Sequence, residues 1–152
     1  MKKGVLIILL SLVISQISLV KAKGECSPDL PHLEAGHVQL SDKNYTKWKK
    51  DNSKLHVLGL SDSSCQQCCQ TESILAQLKE KFDSKVYTAK KGKKIEIGRA
   101  DTSEQYAFFK NEGIPIDDVP AILVMHDGTY YRYPLPKNTE DISGILHFIN
   151  RL

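Results

Sequence analysis

The segment that most constrains the fold runs from Lys54 to Phe82. It begins with Lys54-Leu55-His56-Val57-Leu58-Gly59-Leu60, whose apolar density is that of a central strand bounded by Asp51-Asn52-Ser53 and Ser61-Asp62-Ser63-Ser64. Cys65-Gln66-Gln67-Cys68-Cys69 follows directly, and from Gln66 to Phe82 there is neither Gly nor Pro. Cys68, Leu75, Leu78 and Phe82 fall at helical spacing, with Ser63 or Ser64 available as cap. A buried strand therefore feeds, through a short polar turn, into a helix whose start carries two cysteines three apart.

The flanking sequence supplies more of the same alternation. His37-Val38-Gln39-Leu40 reads as a short strand, and Ser41 or Asp42 as the cap of a helix through about Lys50, with Tyr45 and Trp48 on one face. Ile95 to Ala100 reads as a strand and Ser103 to Glu112 as a short helix carrying Tyr106, Phe108 and Phe109. Val119 to Met125 and Thr129 to Tyr133 predict an antiparallel hairpin, because Asp127-Gly128 supplies the positive φ angles a tight turn requires. Thr139 to Arg151 closes the chain as a helix with Ile142, Ile145, Leu146 and Ile149 on its buried face. This order predicts an α/β domain with a central mixed sheet flanked by helices.

Residues 1–22 have the plan of a secretory signal peptide: Met1-Lys2-Lys3, an apolar run from Val5 to Val20, and small Ala22 at the cleavage position, with an uncleaved membrane anchor as the less favoured alternative because the run is short for a spanning helix. Residues 23–35, with Gly24, Pro28 and Pro31 and no apolar period, read as an arm. About 130 residues remain after Ala22, enough for one core and too few for two, so residues 36–152 are expected to form a single domain. The net charge of +3 is scattered, and the cluster Lys90, Lys91, Lys93 and Lys94 reads as a solvated loop. Nucleic-acid binding is disfavoured, since no aromatic residues interleave with these lysines. The sequon Asn44-Tyr45-Thr46 suits a glycosylated surface but arises readily by chance.

Four cysteines in a secretory chain ordinarily suggest structural bridges, yet three are crowded at positions 65, 68 and 69 while Cys26 stands apart. Closing so short a loop stabilises by only about 2 kcal/mol in the chain-entropy model, so a Cys65 to Cys68 bond is better explained by exchange chemistry. Exchange needs one thiolate able to attack and a second thiol close enough to displace it from the mixed disulfide. A helix start offers free N–H groups and a dipole that favour an anion there by about 0.3 to 2 kcal/mol. Cys65 is the expected nucleophile and Cys68, one turn in, the resolving thiol. A zinc site is the rival for any Cys-x-x-Cys, but no second such pair follows and His32, His37, His56, His126 and His147 are dispersed.

With these elements in place the domain resembles the thioredoxin fold, and within it a single catalytic domain of the protein disulfide isomerase family. The resemblance covers roughly Gly36 to Leu152 and is carried by Leu40-Ser41-Asp42-Lys43-Asn44-Tyr45, the Cys65 to Cys68 motif, Arg99-Ala100-Asp101, and Ile116-Asp117-Asp118-Val119-Pro120 before the hairpin. It implies a cis Val119-Pro120 bond facing the cysteines, with the Val119 backbone free to pair with an extended substrate segment. Ser64 stands where the family usually has an aromatic residue, Gln66-Gln67 replaces Gly-His or Gly-Pro, and Ala121 replaces a common Thr. Gln67 cannot supply the cationic stabilisation of a histidine, so a less oxidising disulfide is expected. Gly59 occupies the place of the family's buried proton-shuttling carboxylate, so slower proton transfer is expected unless Asp62 or water substitutes. Cys69 replaces a basic surface residue; it could resolve a mixed disulfide, bond to Cys26, or stay idle, the last being the favoured expectation.

The sequence therefore predicts a monomeric thiol-disulfide oxidoreductase or isomerase acting on client proteins in the endoplasmic reticulum lumen or beyond it, with no cofactor and no membrane association after signal cleavage. The alternatives are a redox-inactive binding module of the same fold and, less favoured, a metal-binding Cys-x-x-Cys-Cys site.

Overall fold

The computed structural model describes residues 37–62, 64–65, 67–84, 92–135 and 142–152. The expected signal peptide, the arm, Cys26, Ser63 as a cap, and Lys90 and Lys91 lie outside them. The described residues form β1 (Val38–Gln39), α1 (Tyr45–Lys49), β2 (Lys54–Ser61), α2 (Cys68–Asp83), β3 (Lys94–Asp101), α3 (Thr102–Asn111), β4 (Ala121–His126), β5 (Thr129–Tyr133) and α4 (Ser143–Arg151).

The strands make one mixed sheet in the order β1-β3-β2-β4-β5. β1 and β2 run parallel to β3, while β4 is antiparallel to both β2 and β5. β2 is central and buried from Leu55 to Leu60, as its near-continuous apolar sequence requires of a strand covered on both faces. Alternation divides its side chains between two cores. Leu55 and Val57 join Ile97, Ile122, Val124 and the buried faces of α2 and α4, namely Ile74, Leu75, Leu78, Ile145 and Ile149. Leu58 and Leu60 join Tyr45 and Trp48 of α1, Phe109 of α3, and Ala100 and Leu123. The sheet is thus sandwiched between two helical layers.

The hairpin follows the Asp-Gly reading: Asp127 and Gly128 have φ of 49° and 79°. Its first strand starts at Ala121, two residues after the expected Val119, because Pro120 has no N–H to give the ladder. α1 begins at Tyr45, later than a cap at Ser41 or Asp42 implies. Asn44 is the cause: its Oδ1 accepts from the Ser41 N–H at 2.8 Å and its Nδ2 donates to the Gln39 carbonyl at 2.7 Å, holding residues 41–44 as a turn. Asp101 caps α3 by accepting from the Ser103 N–H at 2.9 Å. α3 is kinked at Gln105, whose Oε1 accepts from the Asp42 N–H at 2.9 Å. The expected start of the last helix at Thr139 lies outside the described residues, and α4 is described from Ser143.

Candidate functional site

The site lies where β2 leaves the sheet. Leu60 pairs with Ala121 in antiparallel register, so the chain running from Ser61 towards Cys65 passes beside the chain arriving through Val119 and Pro120. The Val119-Pro120 bond is cis. Both residues are half-buried, and the preceding Asp118 carbonyl is held by Arg132 of β5 at 2.8 Å. Tyr106 of α3 donates to the neighbouring Asp117 at 2.7 Å.

Cys65 and Cys68 are joined as a disulfide with their Cα atoms 5.5 Å apart, within the usual span for such a bond. Cys65 is partly exposed, whereas Cys68 is 6% exposed. The helix starts later than the sequence suggests: Cys68 is its first residue, Gln67 its cap position, and among the described residues no side chain caps it. Cys65 precedes the first turn and is held there by its own N–H to the Asp62 carbonyl at 3.0 Å and by the Cys68 N–H to the Cys65 carbonyl at 3.2 Å. Ser64 lies three residues before the cap position and turns back instead, its N–H and hydroxyl both donating to Asp62 Oδ1, at 2.7 and 2.5 Å. These two bonds hold the Asp62 carboxyl below the usual carboxylate range. They also bear on the expectation that Asp62 could move protons, since a carboxylate so well satisfied is a weaker acceptor.

Cys69 is itself disulfide-bonded, which corrects the expectation of an idle thiol. Among the described residues no group of three or more His, Cys, Asp or Glu side chains is arranged to hold a metal ion.

Sequence reasoning missed the ion pair beside this helix. Glu72 of α2 accepts from Arg99 Nη2 of β3, with side chains 12% and 23% exposed. Burial pushes the Glu72 carboxyl up, opposed by the nearby guanidinium. Arg99 stands opposite Gly59 in the β2–β3 register, so both face α2. The available signal was the i to i+4 spacing of Cys68 and Glu72 in a helix already assigned a buried face.

A central mixed sheet between two helical layers, with a disulfide at the start of α2 and a cis-proline before β4, defines a thioredoxin-fold domain. Neither a protein-family model nor a curated protein sequence matches the chain. Solved structures do. The zinc-bound form of human ERp44 superposes with a TM-score of 0.58 at 10% identity, over 76% of this chain and 30% of that one. The first thioredoxin domain of mouse protein disulfide-isomerase A4 gives 0.55 at 14% identity, over 74% and 71%. Chloroplastic thioredoxin z gives 0.58 at 14% identity, over 76% and 93%. The chain thus spans under a third of the ERp44 chain. The fold and the Cys65–Cys68 pair together support thiol-disulfide redox chemistry. No helix among the described residues is long and apolar enough to cross a membrane.

Proposed function

We propose that this protein is a monomeric thiol-disulfide oxidoreductase that forms, reduces or rearranges disulfides in client proteins of the secretory pathway, in the endoplasmic reticulum lumen or beyond. The observation that carries the reading is the asymmetry of the Cys65–Cys68 pair: one sulfur partly exposed, the other buried on the first turn of α2. Cys65 attacks a client sulfur and Cys68 displaces the mixed disulfide, so the electron pair stays in sulfur and no cofactor takes part. Val119 and Pro120 shape the groove in which an extended client segment pairs with the backbone beside Cys65. The secretory assignment is supported by the leader-like residues 1–22, and the client class by one structural neighbour named as a thioredoxin domain of a protein disulfide-isomerase.

The test is an equilibrium titration in glutathione buffers, with alkylation and mass spectrometry to locate the bond, on the wild type and Cys65→Ser. A reversible Cys65–Cys68 couple, lost in Cys65→Ser, is the expected result. Cysteines fixed in one state across the range would instead assign the domain to binding without turnover.

A further inference from the structure

Resolving a mixed disulfide requires Cys68 to release a thiol proton, and a buried thiol holds its proton more tightly than an exposed one. Cys68 is 6% exposed, so the step needs a base nearby. Asp62 is poorly suited, because the two bonds from Ser64 hold its carboxyl below the usual range and leave it a weak base. Glu72 is placed differently. It lies four residues after Cys68 in α2, a spacing that brings β-carbons to about 5–6 Å, and helical side chains lean back towards the N-terminus, here towards Cys68.

The pairing of Glu72 is incomplete in an informative way. Oε1 takes the Arg99 bond, while Oε2 and Arg99 Nε are both buried without a hydrogen-bond partner among the described residues. An ion pair kept for stability alone would be expected to satisfy those atoms, since burying charge is costly and unmatched buried groups are rare. An accepting oxygen held free, one turn from a thiol that must lose a proton, has a use.

We propose that Glu72 takes the proton of Cys68 during resolution and returns it in the reverse step, with Arg99 as the residue that positions it. This rests on the oxidoreductase reading above. The Cys68 S–H proton passes to Glu72 Oε2, directly or through one water, and the thiolate attacks Cys65 Sγ. The Cys65–Cys68 bond forms as the Cys65–client bond breaks, and the client leaves as a thiolate that is protonated by solvent. The cysteine pair loses two electrons and the client disulfide gains them. Facing the carboxylate is Arg99 from β3; His37, ahead of β1, lies near Arg99, and burial and that guanidinium hold its pKa below the ordinary value. Burial also raises the Glu72 carboxyl towards the range in which it can exchange a proton with a thiol.

Reduced protein mixed with glutathione disulfide, quenched in acid and read by mass spectrometry, separates formation of the Cys65–glutathione adduct from its resolution. Glu72→Gln should leave formation within about twofold and slow resolution about 100-fold, the loss typical of a missing general base. The pH profile of wild-type resolution should show an inflection absent from Glu72→Gln. Glu72→Asp, which retains a carboxylate for Arg99, should resolve at an intermediate rate and guards against misfolding of the Gln variant. Resolution unchanged in both variants overturns the proposal and leaves the oxidoreductase reading intact. A wild type that forms no adduct, or never resolves it, overturns that reading and the proposal with it.

Discussion

Leu75 fills the space that Gly59 leaves open: a β-carbon on Gly59 would lie 2.3 Å from Leu75 Cδ1, with Thr71 Cγ2 at 3.7 Å. Gly59 sits in the middle of β2 facing α2, and Leu75 is fully buried. The absence of a side chain at position 59 and the presence of a leucine at 75 are one packing solution. It also explains why the negative charge beside Arg99 arrives from α2, at Glu72, and not from the strand paired with Arg99.

Gly59→Ala should therefore destabilise the domain by about 1–3 kcal/mol, the cost of overpacking a filled core. In a Leu75→Ala background the same substitution should cost less, because the leucine's far end has gone. Urea unfolding of the two single variants and the double variant measures the coupling. Additive effects would contradict the packing relationship.

Asn44 ties β1 to α1 through two side-chain bonds, to the Ser41 N–H and the Gln39 carbonyl. Asn44→Ala should lower stability by about 1–2 kcal/mol, and Asn44→Asp, which keeps the acceptor but loses the donor, by less. Thermal melts of the three proteins give the order. An Asn44→Asp variant as damaged as Asn44→Ala would place the weight on the bond to Gln39 alone.

These residues also mark where sequence was informative. The hairpin was legible because Asp127-Gly128 is a local requirement of backbone geometry, and β2 and α2 because apolar density and helical spacing run unbroken through them. The cysteine pair was legible for the same reason, being three residues apart at the end of a strand. What escaped was set by choices among competing partners. Nothing in the string says that Asn44 bonds backwards to Gln39, that Ser64 turns back to Asp62 while the helix starts only at Cys68, or that Glu72 reaches Arg99 across 27 positions. Such contacts exist only after the layers have packed.

His56 gives the fold a pH dependence. Its side chain is 2% exposed, its ring packs 4.4 Å from that of Trp48, and Nε2 stands 3.6 Å from Glu96 Oε2. Burial lowers its pKa, with Glu96 and Asp51 opposing and Lys54 assisting. The folded state then prefers the neutral ring. As pH falls below the unfolded value of about 6.5, the unfolded chain binds the proton first, so stability is complete above that pH and is lost as pH descends towards the folded value. Half-buried His37 acts in the same direction. The urea midpoint should fall between about pH 7.5 and 5.5, and fall less in His56→Gln. Equal losses in both proteins would remove His56 from the account.

Cys69 follows Cys68 directly, yet it is bonded elsewhere, since Cys65 and Cys68 hold each other and no cysteine among the described residues is free. Two disulfides thus end at adjacent residues, and their functions can be separated. Oxidised protein, denatured and alkylated without reduction, should take up no label. Cys69→Ser should expose one thiol while leaving the Cys65–Cys68 couple reversible in glutathione buffer, because the attacking and resolving sulfurs are untouched. The chain has four cysteines, so peptide mapping without reduction is expected to recover the Cys69 peptide linked to that of Cys26. If Cys69→Ser instead abolished the couple, exchange would have to pass through Cys69, and the resolving role argued for Cys68 would move one residue along the helix.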